Sequence, residues 1–434
     1  MNPPSFIQEL MNFISASPTP FHAVENMANV LEKNGFECIH EGDEWDSALT
    51  SGSGKGRYYV KRNDSSICAF NLTGEKLADV GVRVIGTHTD SPCLKVKPRP
   101  EIVQKGYLQL GVEVYGGALL GPWYDRDLSL AGRVSFESEN DVLKNALVNF
   151  EIPLAVIPSL AIHLDREANT SKNINPQTDI TPILLQSNSD TFTFIDLLHN
   201  QIIKQYPDMV VNTIHDYEMS FYDTQKPAVV GLNQEFITSA RLDNLLSCFV
   251  GLQSLINSAT KPGALVCNDH EEVGSGSMSG AQGTLLRSIL ERLCPSEAGF
   301  AQMINHSFLA SVDNAHGVHP NYIAKHDDGH GPLLNNGPVI KLNSSQRYAT
   351  NSITSALFKR SCARAGVPVQ SFVTRNDMAC GTTLGPITAA KLGIKAVDVG
   401  MPTFAMHSIR ELAGVKDCTY MYSALHDLLA TEVV

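Results

Sequence analysis

Apolar residues recur at helical spacing in some stretches of the chain and at strand spacing in others, and the two kinds of stretch are unevenly distributed. Leu245, Leu246, Phe249, Leu252 and Ile256 share one face of a helix predicted over 243–259. Phe6, Leu10, Phe13 and Ile14 do the same within the first 35 residues, where a second helical run follows the break at Pro18-Thr19-Pro20. Further helices are predicted over 284–293 and 352–365, the latter closed by Gly366. Strands are predicted at 66–72, 81–87, 264–268, 308–312, 339–342, 367–373 and 396–399, several of them mostly apolar runs of the kind buried on both faces. The Gly/Ser-rich stretch 51–56 reads as a loop. Between 95 and 234 the texture changes to short alternating segments, such as 107–115 and 130–136, separated by turns like Gly116-Gly117. The prediction is an α/β fold with a mixed sheet sandwiched by helices, built from 1–94 and 235–434 and interrupted by a β-rich insertion, 95–234.

Composition narrows the function. The chain has 434 residues, 43% apolar and 18% charged, which suits ordinary folded domains. Its 45 acids against 33 Lys and Arg leave −12, with no basic cluster, so nucleic acid is a poor partner. The longest apolar-looking stretch, 152–164, contains Pro153, Pro158, Ser159 and His163 and is far shorter than the ~20 residues that span a bilayer. No membrane partner is expected. No Lys or Arg precedes Lys33, and the nine cysteines form no C-x-x-C pair, so a cytoplasmic protein with buried thiols is expected. Any metal must then be held by His, Asp and Glu.

Such residues recur just after predicted strands, where open α/β sheets carry their sites. They are His88-Thr89-Asp90, Asp269-His270-Glu271-Glu272, Asp313-Asn314-Ala315-His316 and Met406-His407-Ser408, with Arg241-Leu242-Asp243-Asn244 opening the strong helix. Each has a plain alternative. His88 could be a satisfied strand-end histidine, Asp243 a helix cap and Glu271-Glu272 a solvated turn, while His326 and His330 read as surface histidines without a role. Jointly the set matches what two zinc ions need: a bridging carboxylate, further His and carboxylate ligands, and one spare carboxylate as base. Glu271 beside Glu272 fits the base, and Asp90 fits a group orienting the His88 imidazole. H-E-x-x-H and G-x-S-x-G are absent, and neither 52–56 nor 274–280 keeps the spacing of a nucleotide-binding glycine motif.

The segments Gly86-Thr87-His88-Thr89-Asp90-Ser91-Pro92, Arg241-Leu242-Asp243-Asn244, Asp269-His270-Glu271-Glu272-Val273-Gly274-Ser275, Asp313-Asn314-Ala315-His316-Gly317-Val318-His319-Pro320-Asn321-Tyr322 and Ala405-Met406-His407-Ser408-Ile409-Arg410-Glu411 together resemble the aspartyl aminopeptidase family of di-zinc metallo-exopeptidases. The likeness runs nearly end to end. It implies a zinc-exopeptidase fold with two Zn2+ per subunit, one held by His88 and Asp313, the other by Glu272 and His407, with Asp243 bridging and Glu271 as general base. It implies that the insertion is a dimerisation domain within a tetrahedral dodecamer, with His163 reaching the neighbouring subunit's site. Lys341 would contact the acidic side chain of a substrate's first residue, Asp or Glu; its plain alternative is a lysine snorkelling at a strand end. The rival functions are an aminopeptidase for neutral residues, an acyl-amino-acid deacylase, or a non-catalytic metal-binding assembly.

Overall fold

The structure, a computed structural model, describes residues 3–171, 173–186 and 192–432. The chain divides into two compact units. One comprises Met1–Asp90, Pro227–Met406 and Glu411–Val434; the other comprises Ser91–Lys226 and His407–Arg410.

The first unit is organised on a sheet whose strands are, in chain order, β1 (Glu37–Cys38), β2 (Lys55–Arg62), β3 (Ser66–Thr73), β4 (Arg83–His88), β5 (Gly263–Asn268), β6 (Phe308–Val312), β7 (Val339–Leu342), β8 (Gln370–Val373) and β9 (Lys395–Gly400). Their spatial order is β1-β2-β3-β5-β4-β6-β9-β7-β8. The sheet is mixed, as predicted, because β3 and β7 run against β5 and β9.

Both faces are buried, and the residues alternate between them. Ile67, Ala69, Ile85, Leu265, Cys267, Ala310, Val397 and Val399 enter a core shared with helices α1 (Pro3–Ser15), α2 (Pro20–Lys33), α3 (Leu242–Asn257), α5 (Ser352–Arg364) and α6 (Val415–Ala430). Their chain neighbours Cys68, Phe70, Val84, Val266, Leu309 and Ala396 enter a second core with α4 (Leu285–Leu293). A period-two strand with apolar residues at both phases reads as a continuous apolar run, which is why these strands are visible in the sequence.

Strands β4, β5, β6 and β9 are mutually parallel, so their carboxyl ends share one edge. That edge receives His88 at the end of β4, the turn after β5 and Asp313 after β6. A smaller sheet of the same unit pairs Ala228–Val230, Phe236–Ser239, Glu411–Gly414, Pro402–Phe404 and Ala315–His316.

The second unit holds a six-stranded antiparallel sheet over one core, with Leu128, Leu130, Val134 and Phe136 alternating inward from the strand Leu128–Glu137. It also holds a helix, Phe194–Gln205, that the alternating texture of this region did not suggest. Thr193 caps that helix by accepting from the Asp196 N–H at 3.0 Å, and Phe194, Leu198 and Ile202 carry it into the core.

Two local expectations shift. Strand β2 begins at Lys55, inside the predicted 51–56 loop, where a Cβ on Gly56 would fall 2.7 Å from the Tyr58 ring. Strand β8 begins only at Gln370, because Pro368 has no N–H to give the ladder. Among the described residues no helix is long and apolar enough to cross a membrane.

Candidate metal centre

His88 lies at the middle of the cluster, with about 1% of its surface exposed. Its Nε2 is 3.4 Å from Asp243 Oδ1 and 3.4 Å from Asp313 Oδ1. Its Nδ1 is 3.0 Å from the Asp90 carbonyl oxygen and 3.4 Å from Asp90 Oδ1. The same Asp90 carboxylate accepts the backbone N–H groups of Glu271, at 3.1 Å to Oδ1, and Glu272, at 3.0 Å to Oδ2. One buried side chain thereby fixes both the histidine ring and the turn that carries the two glutamates.

The local backbone explains how these side chains converge. His270 takes a left-handed conformation at φ 62°, and the short turn Glu271–Val273 closes on Gly274 at φ 95°. At the start of α3, Arg241 occupies the cap position in the left-handed region and Asp243 departs from helical angles at φ −84°, ψ 107°. Asp243 therefore does not cap the helix. Its N–H donates instead to Glu411 Oε2 at 3.0 Å, and its carboxylate faces His88.

Asp313 divides its oxygens between two partners: Oδ1 faces His88, and Oδ2 lies 3.1 Å from Lys341 Nζ. The Lys341 side chain is 4% exposed, which excludes snorkelling, and its ammonium lies 5.6 Å from the centre of the Tyr348 ring.

The electrostatics of so many buried acids are severe. Burial pushes Glu271 up to about 8, with His88 opposing and Asp313, Asp90 and Asp243 adding to the rise. Burial and the Asp243 charge push Glu272 up to about 10. Asp313 goes the other way: burial alone would raise it, but Lys341 and His88 hold it well below the usual carboxylate range. For His88, burial alone would lower the ring, and hydrogen bonds to Asp243, Asp313 and Asp90 raise it well above its ordinary value.

This donor set fits zinc. Ligand atoms on a tetrahedron with bonds of about 2.0–2.1 Å stand about 3.3–3.4 Å apart, which is the spacing of His88 Nε2 from both aspartate oxygens. Ligand atoms of His88, Asp243 and Asp313 lie within 4.8 Å of one another, as do those of His88, Glu271 and Glu272. Imidazole and carboxylate are ligands that zinc accepts.

Seven sequence candidates thus meet in the first unit: His88, Asp90, Asp243, Glu271, Glu272, Asp313 and Lys341. His407 belongs to the second unit, where its Nδ1 is 3.1 Å from the Gly117 carbonyl oxygen. His163 is exposed on a turn of that unit.

The first unit also contains a cavity of about 310 Å3 that sequence reasoning did not find. It is lined by His316, His319, Lys325, His326, Tyr348 and Arg375 among others, and no lining residue is an acid. His326, expected as a surface histidine without a role, is half-exposed and lines this cavity, whereas His330 is exposed and bonds Asp327 at 2.6 Å. Also missed was Glu411, which lay inside a recognised motif but had no assigned contact.

A mixed sheet covered by helices, with buried His and carboxylates gathered at the carboxyl ends of parallel strands, defines a metallohydrolase of the zinc-exopeptidase fold. The family model "Aminopeptidase I zinc metalloprotease (M18)" matches residues 13–428. The chain is 56% identical over 421 residues to "Probable M18 family aminopeptidase 2" of Ectopseudomonas mendocina, covering 96% of each protein. Among solved structures, a chain in the "Cryo-EM structure of the Ape4 and Nbr1 complex" superposes with TM-score 0.93 at 38% identity, over 99% of this chain and 86% of that one. The S. cerevisiae mApe1 dodecamer structure superposes with TM-score 0.84 at 28% identity, over 97% of this chain and 95% of that one. The chain belongs to the M18 family and is a zinc metallo-aminopeptidase.

Proposed function

We propose that the protein removes N-terminal Asp or Glu from peptides, using two zinc ions per subunit with Glu271 as general base. The observation that carries this reading is the meeting of His88, Asp90, Asp243, Glu271, Glu272 and Asp313 in the same unit as an acid-free cavity bearing cationic groups. His88 and Asp313 would hold one ion, Glu272 and His407 the other, and Asp243 both. His407 enters this set on its motif, 405–411. When bound, zinc supplies Lewis acidity for the scissile carbonyl and lowers the pKa of a water towards ~7.

The rest is work for the chain's own side chains. Glu271 takes the proton of the attacking water and delivers it to the departing amine, and the Asp90 carboxylate that accepts its backbone N–H holds it in place for that exchange. Asp90 holds the His88 ring and the Glu271-Glu272 turn in register. Lys341 is the residue proposed to contact an acidic first side chain, although its buried ammonium lies 3.1 Å from Asp313 and 5.6 Å from the centre of the Tyr348 ring; His316, His319, Lys325, His326 and Arg375 add a cationic or protonatable cavity lining in the same unit.

The resemblance and the dodecameric relative support a homo-oligomer, a dimer-based tetrahedral dodecamer, in which residues 95–234 form the dimerisation domain and the exposed His163 reaches a neighbouring subunit's site. No disulfide joins any cysteine among the described residues, which suits a cytoplasmic location.

The test is hydrolysis of Asp-, Glu-, Leu- and acetyl-amino-acid substrates by protein of known zinc content, with and without chelator. Asp and Glu should exceed Leu in kcat/KM by at least about tenfold, with activity lost on chelation and regained with zinc. A preference for Leu or for the acetyl substrate would overturn the acidic reading, and chelator-resistant hydrolysis would overturn the metal mechanism.

A further inference from the structure

Two buried asparagines stand beside the proposed aspartate ligands, and each reaches across to the chain segment carrying the other. Asn244, immediately after Asp243, donates from Nδ2 to the carbonyl oxygen of Val312, immediately before Asp313, at 2.9 Å. Asn314, immediately after Asp313, donates from Nδ2 to the carbonyl oxygen of Leu242, immediately before Asp243, at 2.9 Å. The two bonds are reciprocal. Together they close a ring through 242–244 and 312–314 with Asp243 and Asp313 at its two centres, each carboxylate 3.4 Å from the same His88 nitrogen.

We propose that Asn244 and Asn314 form a positioning clamp that fixes the separation of Asp243 and Asp313 and thereby sets zinc affinity. This rests on the ligand roles proposed above. Neither asparagine faces substrate: Asn244 is fully buried and Asn314 is 1% exposed. Their amide oxygens, Asn244 Oδ1 and Asn314 Oδ1, have no hydrogen-bond partner among the described residues. A core built only for stability would avoid two desolvated amide oxygens. Their nitrogens hold something that packing would leave loose.

That something is the relative placement of two different elements. Asp313 follows a sheet strand, with its N–H bonded to the Val399 carbonyl at 3.0 Å. Asp243 sits in the irregular first turn of α3, with its N–H bonded to Glu411 at 3.0 Å. Each aspartate is tied to its own support, and the two asparagine amides tie one support to the other. Groups that orient ligands in this way cost about 10–100-fold in metal affinity when removed.

The test uses full-length protein carrying Asn244→Ala, Asn314→Ala or both, measured for zinc affinity by competition with a chelator, for apo-protein thermal stability, and for kcat and KM at saturating zinc. Each single variant should bind zinc about tenfold or more weakly. The double variant should fall little below the weaker single, because opening either side of the ring frees the same coordinate. At saturating zinc kcat should drop while KM stays within about twofold.

Folded variants that bind zinc within about twofold of the parent, with only the apo stability lowered, would show a purely structural role and overturn the clamp; so would losses that multiply in the double variant. Should an alanine variant fail to fold, Asn→Ser at the same position keeps a polar side chain too short to reach the carbonyl and is judged by the same criteria. A parent protein that binds no zinc would overturn the metal centre itself, and the clamp with it.

Discussion

Glu271 is the proposed general base, and an amide in its place would separate binding from proton transfer. Glu271→Gln keeps size and polarity but cannot accept the water's proton. The expected result is zinc content equal to the parent and a kcat lower by about 10²–10⁴-fold, read by metal analysis and steady-state kinetics on one preparation. A variant with normal kcat removes Glu271 from the mechanism. Legibility at this scale divides by the kind of contact. His88, Glu271, Glu272 and Asp313 are readable as candidates because they stand just past predicted strands, and Asp243 because it opens a strong helix; each alone has a plain alternative, and only the set together points to a metal. Glu411, Asn244 and Asn314 bond backbone atoms remote in sequence, and no local pattern announces such a bond. The cavity was invisible for the same reason, since its wall is drawn from residues between His316 and Met406 with no shared motif.

Elements were more legible than their ends. The apolar runs of β6 and β7 match their predicted limits, because both faces of those strands are buried; β8 starts late because a proline intervenes, and the helix Phe194–Gln205 hid in a region that otherwise alternates. The start of α2 carries a pH dependence of its own. Thr19 caps that helix, and the half-buried His22 places Nδ1 2.8 Å from the Thr19 hydroxyl. Burial and, second to it, the Arg241 guanidinium hold the His22 ring down at about 4, against an ordinary 6.5. The folded-state value is depressed, so the neutral ring contributes stability that is fully present above 6.5 and is lost as pH falls towards about 4, because the unfolded chain takes up the proton first. His22→Gln removes this titration while keeping a polar group beside Thr19. Thermal unfolding of parent and variant at about pH 7.5 and about pH 5 should therefore show the parent losing more stability than the variant on acidification. Parallel losses would mean that His22 is solvated enough to titrate normally.

At the scale of the whole molecule, net charge and local recognition oppose each other. The chain carries −12, and two zinc ions would bring it to −8, a field that repels acidic peptides at a distance. The proposed recognition acts at contact range, in a cavity lined with cationic and protonatable side chains. Salt distinguishes the two ranges. At 0.1 M ionic strength the Debye length is ~10 Å, so repulsion across the approach is largely screened, whereas a partly buried pair at ~3–4 Å is screened much less. Raising salt from about 0.01 M to about 0.15 M should therefore increase kcat/KM for a peptide with an N-terminal Asp and further acidic residues, mainly through KM, and change a neutral-tailed Asp substrate less. A steady fall in kcat/KM over that range would mean that the field around the site is attractive and that the cavity's cations outweigh the acidic surface well beyond contact. In that case selection for acidic residues begins during approach, and the overall charge count is the wrong guide to what the site attracts.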